Sequence, residues 1–313
     1  MPAVASVSAA DPESPPLGAA AVRLAAAGAN DPSPPAGQLS VRDARRYMLA
    51  LINRDRAREG LAAVDLDEGP PTVAAQRHAA DMASHGYLGH WGTDGSVPEQ
   101  RLTEAGGVDM VSENALCYTD ERPRKLDPSP QLDAARIEKA ERMFFDEVPP
   151  NDGHRKNILK PFHKRVGIGI AQSLATATEI PVPCIDQEFT DPYGTYAPVA
   201  RAMHVGDRLQ VEGRLSPGAS VGGVGLARVD LPKSIDVAEL NTRRSYLTPA
   251  PYQMYWPPGF VTPIPLQVKG HAFSIDLPVS DHDKKGLYEL SIWAKVAGGK
   301  DFVIVGLRTI LVE

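Results

Sequence analysis

The sequence predicts an α+β domain over residues 40–193 followed by an all-β, Ig-like sandwich over residues 194–313. Three observations carry this. Apolar residues recur at helical spacing in several blocks before residue 150. Between and after those blocks lie short alternating runs such as RVGIGIAQS and VPCIDQEFT, which read as strands. Beyond residue 194 helical periods disappear, and alternating runs separated by Gly, Asp and Lys-Gly turns take over.

Each element follows from local chemistry. Residues 1–39 are rich in Ala, Pro, Gly and Ser without a sustained apolar period, and are expected to form a disordered leader or linker. Within them, AVASVSAADP ends in a small-residue pattern like a signal-peptidase site at Ala10, so the remnant of an export signal is expected. In SVRDARRYMLALINRDRAREGL, Ser40 and Asp43 make a capping-box-like start. Val41, Ala44, Tyr47, Met48, Leu51 and Ile52 then form an apolar stripe, and Gly60 ends the helix. PTVAAQRHAADMASHG reads as a second helix, with Thr72 as cap and Gly86 as stop, and VPEQRLTEAG as a third. VSENALCY is a strand, followed by a proline-punctuated insertion at 119–131. LDAARIEKAERMFFDEV is an amphipathic helix that Pro149 and Pro150 terminate. Asn151-Asp152-Gly153 then reverses the chain, and HRKNIL starts a short helical turn closed by Pro161. In the second domain, HVGDRLQVEGRL, VGGVGLARVDL, HAFSIDLPV, GLYELSIWAKV and DFVIVGLRTILV read as strands.

Bulk composition bounds the function. Hydrophobic content of 42% and charged content of 23% allow a sizeable buried core. A net charge of −6 argues against nucleic acid as a main partner, because no excess of Lys and Arg exists to neutralise phosphates. No stretch approaches the ~20 consecutive apolar residues of a membrane span. Cys117 and Cys184 lie on two predicted strands of one small sheet, so they form one disulfide or remain two free thiols.

Candidate chemistry concentrates at His90, Glu113, Glu147 and His154. Two neutral imidazoles make good ligands for zinc and similar divalent metals, and nearby carboxylates can bind the metal or fix the ring tautomers. A Glu could instead serve as a general base. None of these spacings is a standard zinc signature, so the residues alone leave a metal site beside ordinary polar roles. His78 and His85 share one helical face, and His78 with Asp81 could mimic part of a site, but a structural role is the preferred reading. His163 is expected to sit in a loop or at a strand edge, and Asn114 to fix backbone geometry. In PYQMYWPPGF, Tyr252, Tyr255 and Trp256 could stack on a ligand, but packing beneath a loop or against the first domain is the preferred reading.

The order of LINRDRAREGL, HAADMASHGYLGHWGTDG, SENA and NDGHRKNIL…VGIGIA over about residues 45–190 resembles the CAP superfamily, in its bacterial form. That superfamily includes cysteine-rich secretory proteins, antigen 5 and pathogenesis-related proteins. The resemblance implies a three-layer α-β-α sandwich whose cleft carries two histidines and two glutamates, falling here on His90, Glu113, Glu147 and His154. It further implies a divalent metal, often zinc, held mainly by the histidines. Phe144 stands where many members have tryptophan, and the multiple disulfides of eukaryotic members are missing. The expected function is a secreted or envelope-associated binding module for a lipid-like, peptide or partner ligand, with the β-sandwich as adhesion or spacer domain. The alternative is a metal-dependent hydrolase, a peptidase or cell-wall enzyme, using the same tetrad. No G-x-S-x-G nucleophile motif occurs, which favours binding.

Overall fold

The computed structural model describes residues 4–10, 31–243, 245–297 and 299–313. In chain order it begins with β1 (Val4–Ala10), β2 (Gln38–Leu39), α1 (Val41–Arg58), β3 (Asp65–Leu66), α2 (Pro70–His85) and α3 (Pro98–Glu104). Next come β4 (Val111–Tyr118), β5 (Leu132–Asp133), α4 (Ala134–Phe145), α5 (Gly153–Ile158), β6 (Arg165–Ala171) and β7 (Cys184–Thr190). The later strands are β8 (Gly194–Tyr196), β9 (Ala202–Met203), β10 (Arg208–Leu215) and β11 (Ala219–Val229), with α6 (Val237–Leu240) after them. The chain closes with β12 (Tyr246–Leu247), β13 (Gln253–Tyr255), β14 (Gln267–Lys269), β15 (Ala272–Pro278), β16 (Gly286–Val296) and β17 (Phe302–Val312).

The chain divides into two compact units. One comprises Met1–Arg101, Ser112–Thr190 and Ser234–Thr248; the other comprises Leu102–Val111, Asp191–Lys233 and Pro249–Glu313. Two stretches thus depart from the linear division expected at residues 193 and 194. Residues 102–111 join the all-β unit, where Met110 packs with Ile304 and Leu307. Residues 234–248 join the α+β unit, where Leu240 is buried with Tyr87 and Leu88.

In the α+β unit the sheet runs β12-β1-β4-β7-β6-β3. Strand alternation sends odd and even residues to opposite faces. Leu116, Val166, Ile168, Ile170, Ile185 and Phe189 pack on one face against Tyr47, Met48, Leu51 and Ile52 of α1 and Ile137, Ala140 and Phe144 of α4. Ala115, Cys117 and Cys184 pack on the other face against Ala79, Met82 and Ala83 of α2. This is the expected three-layer arrangement. Gly167 and Gly169 explain how closely the α2 layer sits: a Cβ at either would strike backbone atoms of Pro71 or Ala75.

Capping agrees with the sequence at α1, where the Ser40 hydroxyl accepts from the Asp43 amide at 3.2 Å and donates to its carboxylate at 2.6 Å. It differs at α2. The helix starts at Pro70 with Gly69 as N-cap, and Thr72 lies inside its first turn. Pro is well suited to that first turn because its missing N–H would have no helical partner there. The Thr72 hydroxyl donates to the Asp67 carbonyl at 2.6 Å and accepts from the Ile168 amide at 3.2 Å, tying α2 to β6 instead of capping it.

The disordered leader expected over 1–39 needs correction where it is described. Val4–Ala10 forms a strand, antiparallel to β4 with Val4 opposite Tyr118 and Ser8 opposite Asn114. Pairing satisfies backbone groups that β4 would otherwise present along an edge. Gln38–Leu39 pairs with β5. Residues 1–3 and 11–30 lie outside the described residues.

The other unit is all-β, with sheets β14-β15-β10-β8 and β13-β11-β16-β17-β9. Leu209, Val211 and Leu215 of β10 and Phe273, Ile275 and Leu277 of β15 alternate inward, as a sandwich face requires. Tyr255 is buried, and Trp256 packs on Phe260 and Phe302 with ring centroids 6.2 and 6.5 Å away. These aromatic residues therefore pack within their own unit.

Candidate metal centre

Helix α4 ends at Phe145, and the chain turns through Pro149-Pro150 into α5. That turn brings Glu147 back onto His154. One Glu147 oxygen accepts from the His154 amide at 2.9 Å, and the other lies 2.5 Å from Nδ1 of the same residue. Backbone and ring are clamped by a single carboxylate. The imidazole also packs on Phe144, at 5.0 Å between centroids.

The second pair lies where α2 faces β4. His90 follows the loop beyond Gly86, whose left-handed φ of 71° ends α2. Nδ1 of His90 lies 2.8 Å from Oε1 of Glu113, and both side chains are buried. The other Glu113 oxygen accepts from Nη2 of Arg101, a residue the sequence did not single out. Arg101 also donates to the carbonyls of His90 and Ser96, at 3.1 and 2.9 Å. Although burial pushes the Glu113 carboxyl up, Arg101 together with His78 and His90 holds it well below the usual carboxylate range. Burial lowers the His90 pKa, against the Glu113 hydrogen bond, and charge on His154 would lower it further. The imidazole is thus kept neutral.

Asparagines join the two pairs. Asn114 donates to the His154 carbonyl at 3.3 Å and to Gln187 at 3.0 Å. Asn157 donates to the Glu113 carbonyl at 3.2 Å and to the Asn114 side chain at 2.9 Å. Asn114 therefore fixes geometry, as expected. All four sequence-derived site residues belong to the α+β unit.

These residues suit a divalent metal. A histidine whose Nδ1 donates to a carboxylate carries its lone pair on Nε2, the arrangement that coordination through Nε2 requires. Nε2 of His90 is buried and has no hydrogen-bond partner. A neutral imidazole with a buried acceptor nitrogen left over is a suitable metal ligand.

A second group was missed by the sequence reading. Among the described residues, His78, Glu113 and Asp186 bring ligand atoms within 4.8 Å of one another, all buried, and this triad could hold a metal ion. His78 was expected to be structural, and its Nε2 does donate to the Gly89 carbonyl at 2.7 Å. Burial lowers its pKa to about 4. Asp186 and Glu188 are raised well above the carboxylate range, chiefly by burial and then by Glu113. The available signal was position. β7 lies between β4 and β6 with helices over both faces, so the polar residues of CIDQEFT could not all be solvent-facing. His163 is likewise in a loop but buried, stacked on Phe189 at 5.3 Å.

A strap from residues 234–248 closes over the His90 side. The Ile235 amide donates to the Thr93 carbonyl at 2.9 Å, and Leu88 donates to Asn241 at 3.1 Å. The Tyr246 hydroxyl donates to Glu99, and its ring lies 6.4 Å from that of His90 and 5.2 Å from Trp91. The 119–131 insertion lies elsewhere, at the end of α2, where the Glu121 amide donates to Gly86 and the Arg124 amide to Ser84.

Cys117 and Cys184 are joined by a disulfide. No helix among the described residues is long and apolar enough to cross a membrane.

Comparison with known proteins agrees with the α+β unit. Residues 49–178 match the CAP family, described as the cysteine-rich secretory protein family. No curated protein matches the chain significantly. Nine chains of solved structure do. One is a chimeric titin Z1Z2 functionalized with a KLER exogenous peptide from decorin, 15% identical, covering 38% of this chain and 93% of its own, with a TM-score of 0.18. The chain therefore carries a CAP domain over residues 49–178, followed by all-β sheets.

Proposed function

We propose that this is a secreted or envelope-associated CAP-domain protein whose His90/His154 cleft binds a divalent metal, zinc by its donor chemistry, and serves as a binding module. The carrying observation is the paired arrangement of His90 on Glu113 and His154 on Glu147, which sets both rings for coordination through Nε2. His90 and His154 would hold the metal, and the two glutamates would orient the rings. A bound metal would supply a Lewis-acidic, positively charged anchor for a ligand. That ligand is lipid-like, a peptide or a partner surface. The Cys117–Cys184 disulfide supports an oxidising compartment outside the cytosol.

The hydrolase reading is less well supported, for a geometric reason. A general base needs a carboxylate oxygen within reach of the proton it removes. Glu113 spends one oxygen on His90 and the other on Arg101, while Glu147 spends both on His154.

Calorimetric titration of the metal-stripped full chain with Zn2+ tests this. Wild type is expected to bind tightly at this centre, His90→Ala/His154→Ala to lose that binding, and Glu147→Gln to weaken it about 10- to 100-fold. Unchanged Zn2+ affinity and stoichiometry in the double-histidine chain would reject the site. Metal-dependent turnover of peptide or peptidoglycan abolished by Glu147→Gln would overturn the preference for binding.

A further inference from the structure

Two carboxyl groups beside Glu113 belong to neither histidine pair. Asp186 and Glu188 stand two residues apart on β7, so both leave the sheet on the face that Cys184 also occupies. Both are fully buried, and none of their oxygens makes a well-formed hydrogen bond to the protein. Buried carboxyl groups without hydrogen-bond donors are rare in folded proteins, and each calls for an explanation such as an ion. The neighbours of Asp186 sharpen the point. A Glu113 carboxylate oxygen lies within 4.8 Å, together with a ring nitrogen of His78. Two carboxyl groups so close cannot both be ionised unless a cation lies between them; otherwise one keeps its proton.

Charge sets the valence of that cation. Arg101 is the guanidinium facing Glu113, Asp186 and Glu188, and it satisfies Glu113 directly. Were all three carboxyl groups ionised, one guanidinium would leave two negative charges uncompensated in a place shut off from water, which is why burial and Glu113 raise Asp186 and Glu188 when no cation is bound. A single divalent cation cancels that excess. Carboxylate oxygens with one imidazole nitrogen form a donor set that zinc and manganese both accept.

We propose that His78, Glu113 and Asp186, with Glu188 beside them, form a second divalent-cation site, distinct from the His90/His154 centre and sharing Glu113 with it. Glu113 is placed for both roles: its Oε1 lies 2.8 Å from Nδ1 of His90 and 3.8 Å from Nε2 of His78. His78 joins the site by giving up its Gly89 hydrogen bond for the ion. The competing state is a cluster neutralised by two protons and no cation.

Counting tightly bound metal separates the two. The full chain is stripped with chelator, loaded with Zn2+, passed through a desalting column and analysed by inductively coupled plasma mass spectrometry. The expected result is two equivalents in wild type and one in His90→Ala/His154→Ala, which leaves the second cluster intact. Asp186→Asn, a near-isosteric change, is expected to retain one equivalent, and combining all three substitutions to leave none. A double-histidine chain that is folded by circular dichroism but holds no Zn2+ overturns the second site. So does wild-type stoichiometry in Asp186→Asn. If Asp186→Asn fails to fold, the double-histidine result decides alone. The His90/His154 centre is judged separately, by whether Asp186→Asn keeps its one equivalent.

Discussion

Replacing Glu141 by glutamine is expected to flatten the pH dependence of stability. Glu141 is fully buried in α4, with one oxygen accepting from Gln187 at 2.8 Å and the other without a partner. Burial raises its pKa from 4.5 to about 8; the Gln187 hydrogen bond opposes the rise, Asp55 adds to it and Arg54 reduces it. The folded chain therefore keeps this proton across a range in which the unfolded chain has lost it. Folding takes up a proton there, so stability falls as pH rises from 4.5 towards 8. The slope approaches about 1.4 kcal/mol per pH unit, and the loss between about pH 5 and pH 7 comes to about 2.5 kcal/mol. Glutamine keeps an oxygen for Gln187 and has no proton to lose. Chemical denaturation at several pH values in that interval should show wild type losing about 2.5 kcal/mol more than Glu141→Gln. Asp186 and Glu188 add slopes of the same sign to both proteins, so the difference isolates Glu141. Parallel stability curves for the two proteins would refute the reasoning.

Two further outcomes follow from packing and covalent linkage. Gly169→Ala drives a Cβ into the Ala75 backbone, which has no rotamer to yield, and should cost about 3 kcal/mol or more, read as a large fall in Tm; an unchanged Tm would contradict the close α2–β6 approach. Cys117→Ser opens a link between residues 67 apart and should destabilise by about 4 kcal/mol on a loop-entropy basis. Unfolding curves unaffected by either the substitution or reductant would argue against the bond.

The α+β architecture was legible because its helices and strands each carry a local period, and α1 shows the apolar stripe with its Ser40 cap in place. The two histidine–glutamate pairs came from ordered family motifs; their spacing alone did not single them out. Arg101, Asp186 and Glu188 escaped for a different reason. Local alternation says that a polar residue leaves one side of a strand, but not that a helix lies across that side. Only the position of β7 between β4 and β6, beneath α2, turns its acidic residues from surface groups into buried ones. Thr72 shows the same limit at smaller scale. A threonine near a helix start suits a cap, yet here Pro70 and Pro71 already occupy the first turn, and the hydroxyl is used between helix and sheet. The Val4–Ala10 strand could not be foreseen from composition, since small residues gain strand structure only where a neighbour supplies the hydrogen bonds.

The strap at residues 234–248 has a consequence for how this chain can be divided or recombined. A fragment ending at residue 193 would keep every tetrad residue and still lack Leu240 and Tyr246, the side chains laid over Leu88 and His90. Such a fragment would expose apolar surface and open the His90 side to water. No single cut in the backbone yields the α+β unit whole, because its last piece is encoded after four strands of the other, β8 to β11. The two halves are thus poor candidates for exchange as independent cassettes. An insertion, deletion or fusion junction within residues 234–248 would be felt at His90.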